Sequence, residues 1–171
     1  MEFIKEDQFL KLTDNIDFFK EFTREEKSEM ASLYCNVLMF RTGNYIIKQG
    51  DVDQALFVLL SGIARVTKRC LTDSEGPGEA LLAKLKTGDL FGEISLMTSR
   101  PRATSVVAEG DVIALKFEGK MLDKRNPIIA NKVRVRLIEL LAKRLEEANK
   151  LNKELMKKIE LLTGAQYPPE T

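Results

Sequence analysis

The chain has 171 residues, of which 44% are hydrophobic, and this is enough to fill the core of one domain with room for a helical extension. Its 27 Lys and Arg nearly balance its 26 Asp and Glu, so the net charge of +1 indicates no nucleic-acid or acidic partner for the chain as a whole. Because histidine is absent, the sequence excludes histidine-activated nucleophilic enzymes and disfavours metal enzymes, and we expect no metal site.

The N-terminal residues Met1–Asp7 are acidic and lack the basic and apolar regions of a signal peptide. No apolar run approaches the roughly 18 residues of a membrane span, so we expect no membrane insertion. The two cysteines, Cys35 and Cys70, have apolar or strand-like neighbours, which favours reduced, buried thiols over a disulfide. These features predict a cytoplasmic protein.

Residues 1–36 form a predicted N-terminal helical segment. Apolar residues recur there at helical spacing, and Thr23 followed by Glu26 has the form of a capping box that begins a second helix. The bulky run Ile16–Phe19 lies where one helix must turn onto another element. We therefore expect this run to pack in the core.

Residues 37–120 form a predicted β domain of short apolar or alternating runs, and each break between the runs contains a glycine. The predicted strands are Val37–Phe40, Tyr45–Ile47, Ala55–Leu60, Ile63–Thr67, Ala80–Leu85, Thr104–Val107 and Val112–Leu115. The polar stretch Leu71–Glu79 predicts an exposed hairpin tip. Many short strands with regular turns indicate a sandwich or a barrel.

Residues 121–163 form a predicted hinge and long helix, and residues 164–171 a tail. Pro127 suits the first helical turn. A coiled-coil seam is predicted because apolar residues step by three and four at Ile138, Leu141, Leu145, Ala148, Leu155, Ile159 and Leu162. Asn152 fills the gap in this seam, and a buried Asn is satisfied by its own copy in a parallel coil, so we predict a homodimer. Alternatively, the first turns pack on the β domain through Ile129, Val133 and Leu137.

The segment from Gly92 to Leu96 predicts a sharp turn into a short helix whose first amides point outward, an arrangement that binds anions. Arg102 follows Glu93 by nine positions and comes directly after Pro101, where a guanidinium can bind phosphate oxygens. A carboxylate beside such a site makes sense when the ligand also offers a hydroxyl donor. A singly charged cyclic phosphodiester next to a ribose 2′-OH meets both demands.

These residues resemble the phosphate-binding cassette of the cyclic-nucleotide-binding domain family, which includes kinase regulatory subunits and bacterial catabolite activators. In that family the cassette reads Phe-Gly-Glu-[Leu/Ile]-[Ala/Ser]-Leu, then a spacer and Arg-Ala-[Ala/Thr]; here it stands as Phe91–Leu96 and Arg102–Thr104. A less specific match runs from Gly43 to Gly62. The resemblance implies an α+β fold, an eight-stranded antiparallel β-roll of jelly-roll type with N-terminal helices and a long C-terminal helix.

Carried over by position, the resemblance implies that Glu93 accepts a hydrogen bond from the ribose 2′-OH and that Arg102 pairs with the exocyclic phosphate oxygens. The other predicted binding residues of the cassette, most of them acting through their backbone, are Phe91, Gly92, Ile94, Ser95, Ala103 and Thr104. A surface salt bridge between Glu93 and Arg102 is the alternative interpretation. We expect Arg100 to be exposed.

The residue after the cassette arginine bears on the choice of nucleotide. In the family, Thr or Ser at this position often accompanies cGMP preference, whereas this chain has Ala103. The resemblance therefore favours cAMP, with cGMP as the alternative because Thr104 comes one position later. Bacterial members also reach adenine with a polar residue of the long helix, for which Asn149 is the candidate here.

The chain ends at Thr171 without a helix-turn-helix or catalytic segment, so we expect a stand-alone, non-catalytic cyclic nucleotide receptor. Binding would move the hinge Asp123–Pro127 and reposition the long helix for a dimer partner or an unknown effector. The alternatives are a cupin-like enzyme, which the missing histidines disfavour, and the excised sensor domain of a larger regulator. A further alternative is a DNA-binding or coiled-coil interaction protein, since residues 128–158 carry nine Lys or Arg against four Glu.

Overall fold

The structure is a computed structural model that describes residues 5–31, 35–72, 76–119 and 126–163. The chain divides into two compact units, Met1–Lys132 and Val133–Thr171. In chain order the elements are α1 (Glu6–Thr13), a 3-10 helix (Asp17–Phe19), α2 (Arg24–Glu29), β1 (Cys35–Phe40), β2 (Tyr45–Ile47), β3 (Ala55–Thr72), β4 (Gly76–Lys86), β5 (Leu90–Phe91), α3 (Glu93–Thr98), β6 (Ser105–Glu118) and α4 (Pro127–Thr163). The predicted order of short helices, a strand-rich middle and one long helix is confirmed.

The strands of the described chain form one antiparallel sheet with the order β1-β6-β3-β4, in which β2 also pairs with β6 and β5 with β3. This gives six strands and not the eight that the resemblance implies. β3 and β6 each join two of the seven predicted strands into one bent strand, and β5 was not among the predicted strands. The bends contain Gly62 and Gly110, both with a φ of 96°. Dividing each bent strand at its glycine yields the eight segments that the family resemblance implies.

The hairpin of β3 and β4 is longer, and its tip shorter, than the sequence predicts. Thr72 pairs with Gly76, so the predicted tip Leu71–Glu79 is wrong in extent, and residues 73–75 lie outside the described residues. Part of this polar, proline-containing sequence belongs to β4, which is an edge strand. Proline is tolerated in an edge strand because half of the strand's N–H groups need no partner there. Cys70 on this hairpin is a free thiol, half-buried rather than buried.

The core of the first unit has two parts. Inside the roll lie the inward-facing apolar side chains of the strands, including Ile47, Phe57, Leu59, Phe91, Val106, Val112 and Ala114. Beneath the N-terminal helices, Phe18 contacts Phe19 and Phe117 with ring centroids 4.8 Å and 5.9 Å apart. The predicted core role of Ile16–Phe19 is confirmed, because Ile16, Phe18 and Phe19 are at most 4% exposed.

The predicted capping box of α2 is present, and its carboxylate also binds α4. The Thr23 hydroxyl accepts a hydrogen bond from the Glu26 N–H at 3.2 Å, and the Glu26 carboxylate accepts one from the Thr23 N–H at 2.8 Å. Lys132 Nζ donates to the same carboxylate at 2.7 Å and to the Glu21 carbonyl at 2.8 Å. The first turns of α4, which begins at Pro127 as predicted, are thereby attached to the N-terminal helices.

From Val133 onwards, α4 forms the second unit. The larger side chains of the predicted seam are 44–85% exposed in the single chain, namely Ile138, Leu145, Leu155, Ile159 and Leu162. In the described part of the chain, no helix is long and apolar enough to span a membrane. The predicted hinge lies mostly outside the described residues, as does the tail, and the proposed domain boundaries remain predictions.

Candidate ligand-binding site

The predicted strand–glycine–helix turn is present where β5 meets α3. Phe91 pairs with Phe57 of β3, and their rings stack with centroids 5.3 Å apart. Gly92 then adopts a φ of 84° and precedes α3, which begins at Glu93. Within the described residues, Gly92 provides no side-chain cap for α3, as a glycine cannot. The first N–H groups of a helix have no partner within the helix itself and commonly bind anions.

Gly92 is also where the turn approaches other segments most closely. A Cβ at this position would lie 2.7 Å from Arg102 Nη1, 2.8 Å from the Ala55 carbonyl oxygen and 3.1 Å from Ile47 Cδ1. These distances are shorter than ordinary van der Waals contact. Glycine is therefore required both for the positive φ and for the space it leaves to the arginine.

Arg102 is 3% exposed, and three protein acceptors hold its guanidinium. Nε donates to the Asp53 carboxylate at 2.5 Å, Nη1 to the Gly92 carbonyl at 2.8 Å and Nη2 to the Ala55 carbonyl at 2.7 Å. A guanidinium carries five N–H groups, so one on each terminal nitrogen has no acceptor among the described residues. The three acceptors thus fix the guanidinium in position.

The loop between β2 and β3, residues 48–54, is bonded to the segment that carries Arg102. The Gly50 N–H donates to the Arg102 carbonyl and the Arg102 N–H to the Asp51 carbonyl, both at 2.9 Å. These bonds present Asp53 to the guanidinium. Asp53 was not predicted from the sequence, because nothing in its local sequence indicates a partner 49 positions away.

The structure brings the two predicted parts of the cassette together. Glu93 and Ser95 are 5% and 4% exposed, and Arg102 bonds to the carbonyl of Gly92, the residue before Glu93. A surface salt bridge between Glu93 and Arg102 is therefore the wrong interpretation, because both side chains are buried. The roles of these residues toward a ligand remain predictions.

Of the other predicted binding residues, Phe91 is also buried and the rest are more exposed. Ile94 is 56% exposed, Ala103 is exposed and Thr104 is half-buried, which suits residues that act through their backbone. Arg100 is exposed, as predicted. Asn149 lies exposed in the second unit, and its contact with a base remains a prediction.

Residues 37–124, slightly more than half of the chain, match the family model of the cyclic nucleotide-binding domain. The chain belongs to this family. The match includes the Gly92 turn and Arg102, so the cyclic nucleotide-binding domain contains the buried arginine site described above. Within the described residues, no group of His, Cys, Asp and Glu side chains is arranged to hold a metal ion.

Two of the relatives of this cyclic nucleotide-binding domain are a receptor protein and a kinase regulatory subunit. The chain is 37% identical to the cyclic AMP receptor protein of Thermus thermophilus over 72% of its own length and 55% of the relative's. It is 30% identical to the cAMP-dependent protein kinase type II regulatory subunit of Drosophila melanogaster over 67% of its own length and 29% of the relative's. The chain therefore spans about half of these relatives, or less.

A solved structure confirms the fold class. A cyclic nucleotide-binding domain from Methylobacillus flagellatus aligns with 96% of this chain and 86% of its own with a TM-score of 0.69, at 23% sequence identity. The β-roll with N-terminal helices and a long C-terminal helix is thus the architecture of both. Membership of this family accounts for the β-roll, which a cupin-like enzyme was the alternative way to explain.

Proposed function

We propose that this chain is a non-catalytic receptor that binds a cyclic nucleotide at Arg102 and the first turn of α3. The observation that carries the proposal is the buried guanidinium, which protein acceptors hold in place while two N–H groups remain for a ligand. Such a group binds an anion with little rearrangement. The names of the relatives, a cyclic AMP receptor and a cAMP-dependent kinase subunit, point to the same class of ligand.

The charges around Arg102 favour a phosphate with a single negative charge. Asp53 already neutralises part of the guanidinium charge, and Glu93 lies at the start of the adjacent helix. A phosphomonoester with two negative charges would be repelled by these carboxylates, whereas a cyclic phosphodiester carries one charge. In this arrangement Glu93 accepts a hydrogen bond from the ribose 2′-OH, and Arg102 binds the exocyclic oxygens.

Calorimetric titration of the wild-type chain is expected to show that cAMP binds more tightly than cGMP. The affinity for 5′-AMP should be on the order of 100-fold lower than for cAMP, because it has the same base and sugar but a more highly charged phosphate. Ala103→Thr should reduce the difference in affinity between cAMP and cGMP, because the new hydroxyl can accept a hydrogen bond from the guanine 2-amino group. Equal affinities for cAMP and 5′-AMP would contradict the proposed site.

We further propose that α4 relays binding to a second copy of the chain or to an effector protein, with Asn149 contacting the base. Because the relatives are longer than this chain, the sensor domain of a larger regulator is the second candidate. A role in DNA binding or coiled-coil interaction, with the β-roll only structural, remains the alternative. The cytoplasmic location also remains a prediction.

Sedimentation velocity is expected to show a dimer for the wild-type chain at micromolar concentration. Leu155→Lys should raise the dimer dissociation constant at least roughly 100-fold, because it places a charge in the apolar seam. The matched control is Leu161→Lys, since Leu161 is 85% exposed and lies off the seam. A monomeric wild-type chain, or equal effects of the two variants, would rule out this seam as the interface.

A further inference from the structure

Gln54, the last residue of the loop before β3, bonds to two distant segments of the first unit. Its side-chain Nε2 donates to the Ser99 hydroxyl at 2.5 Å, and the two residues are 45 positions apart. Its carbonyl accepts a hydrogen bond from the Gly119 N–H at 2.8 Å. One exposed glutamine therefore joins the loop, the end of α3 and the end of β6.

Both partners of Gln54 occupy conformationally demanding positions. Ser99 follows the last residue of α3 and has a φ of 55°. Among the described residues, every other positive φ belongs to a glycine. A positive φ costs free energy in a residue with a side chain, so it is kept only where the surrounding contacts stabilise it. A Cβ at Gly119 would lie 2.8 Å from Leu96 Cδ1 and 3.3 Å from the Gln54 carbonyl oxygen, so Gly119 lies tightly between α3 and the loop.

The two parts of the ligand site converge on this glutamine. Asp53, the residue before Gln54, holds Arg102, and Ser99 ends the helix that Glu93 begins. A phosphate on the free N–H groups of Arg102 competes with Asp53 for the guanidinium charge, and a sugar hydroxyl on Glu93 restrains α3. The first event changes the restraints on Asp53, the residue before Gln54. The second changes the restraints on Ser99, which is bonded to the Gln54 side chain.

We propose that Gln54 is a positioning residue that transmits the state of the Arg102 site to Gly119, the residue that follows β6. The inference rests on the proposed binding of a cyclic nucleotide, and it adds the side chain that couples this binding to the end of the sheet. Within the described residues, none of the guanidinium hydrogen bonds given above goes to Gln54; their acceptors belong to Asp53, Gly92 and Ala55. We therefore expect the Gln54 side chain to act mainly on the response to ligand and only weakly on the affinity.

The test is amide hydrogen exchange at Gly119, measured with and without saturating cAMP. In the wild-type chain cAMP is expected to slow this exchange roughly tenfold, because the fixed helix end restrains Gln54. Gln54→Ala keeps the carbonyl acceptor but removes the bond to Ser99. The cAMP effect at Gly119 should then fall below about twofold, while the affinity stays within about fivefold of the wild-type value.

Ser99→Ala removes the same bond from the other side, and the double variant should lose no more of the response than either single variant. Val52→Ala, at a 76% exposed side chain in the same loop, is the control that should respond like the wild type. This inference would be overturned if cAMP slowed exchange at Gly119 in Gln54→Ala as much as in the wild type, or if Val52→Ala lost this effect. Either result would leave the binding proposal intact. Failure of the wild-type chain to bind any cyclic nucleotide would overturn both.

Discussion

Arg102→Lys is expected to lower the affinity for cAMP at least roughly 100-fold in calorimetric titration, which corresponds to about 2.7 kcal/mol. Lysine keeps the positive charge but offers a single nitrogen in place of a planar fork. Its ammonium cannot reach the Asp53 carboxylate, the Gly92 and Ala55 carbonyls and a phosphate at the same time. Lysine is a better test than alanine, which would leave two carbonyls without a donor and could unfold the site.

The matched control for Arg102→Lys is Arg100→Lys, the same exchange at an exposed side chain two residues earlier. Its affinity for cAMP should stay within about twofold of the wild-type value, since exposed charges contribute little. Urea denaturation should show that both variants fold. If folded Arg102→Lys binds cAMP as tightly as the wild type, Arg102 is not the phosphate ligand.

Gly92→Ala is expected to lower the free energy of unfolding by about 3 to 5 kcal/mol and to abolish cAMP binding. The positive φ accounts for roughly 1 to 2 kcal/mol of this loss. The remainder arises because the new methyl group would lie 2.8 Å from the Ala55 carbonyl oxygen, which belongs to β3 and cannot move freely. It would also displace the Arg102 guanidinium. Urea denaturation measures the first effect and titration the second.

Gly43→Ala separates these two causes. Gly43 has a φ of 83°, close to the 84° of Gly92, but a Cβ there would meet nothing within 4 Å. This variant should therefore show only the conformational cost of roughly 1 to 2 kcal/mol and should bind cAMP normally. Equal losses of stability in the two variants would mean that crowding against Arg102 and Ala55 contributes nothing.

The strands illustrate how far local sequence determines this fold. Glycine marks every predicted break, yet Gly88 lies in a turn between strands, whereas Gly62 and Gly110 lie in bends within a single strand. The difference depends on β3 and β6, which continue to pair with each other on both sides of the bends. Because that pairing joins distant segments, the sequence predicted the glycines but not the continuity of the strands.

The candidate site also has residues that the local sequence predicts and residues whose roles depend on long-range contacts. Gly92, Glu93 and Arg102 were predictable because they lie close together in the sequence and form a recognisable motif. Asp53 and Gln54 have ordinary local sequences, and their roles arise only when the loop folds against partners 49 and 45 positions away. Whether Glu93 and Arg102 are buried also depended on the whole roll, so the surface alternative could be rejected only from the structure.

The position of β6 has a consequence for biosynthesis. Among the described residues β6 is the last strand, yet it pairs with β1, β2 and β3. A nascent chain therefore offers β1 and β2 no partner strand until residues 105–118 have left the ribosome. Since such long-range pairing is slow to form, the roll is expected to assemble late and as a unit. Until then, we expect the apolar faces of β1 and β2 to stay exposed, which is the condition under which unfinished sheets tend to aggregate.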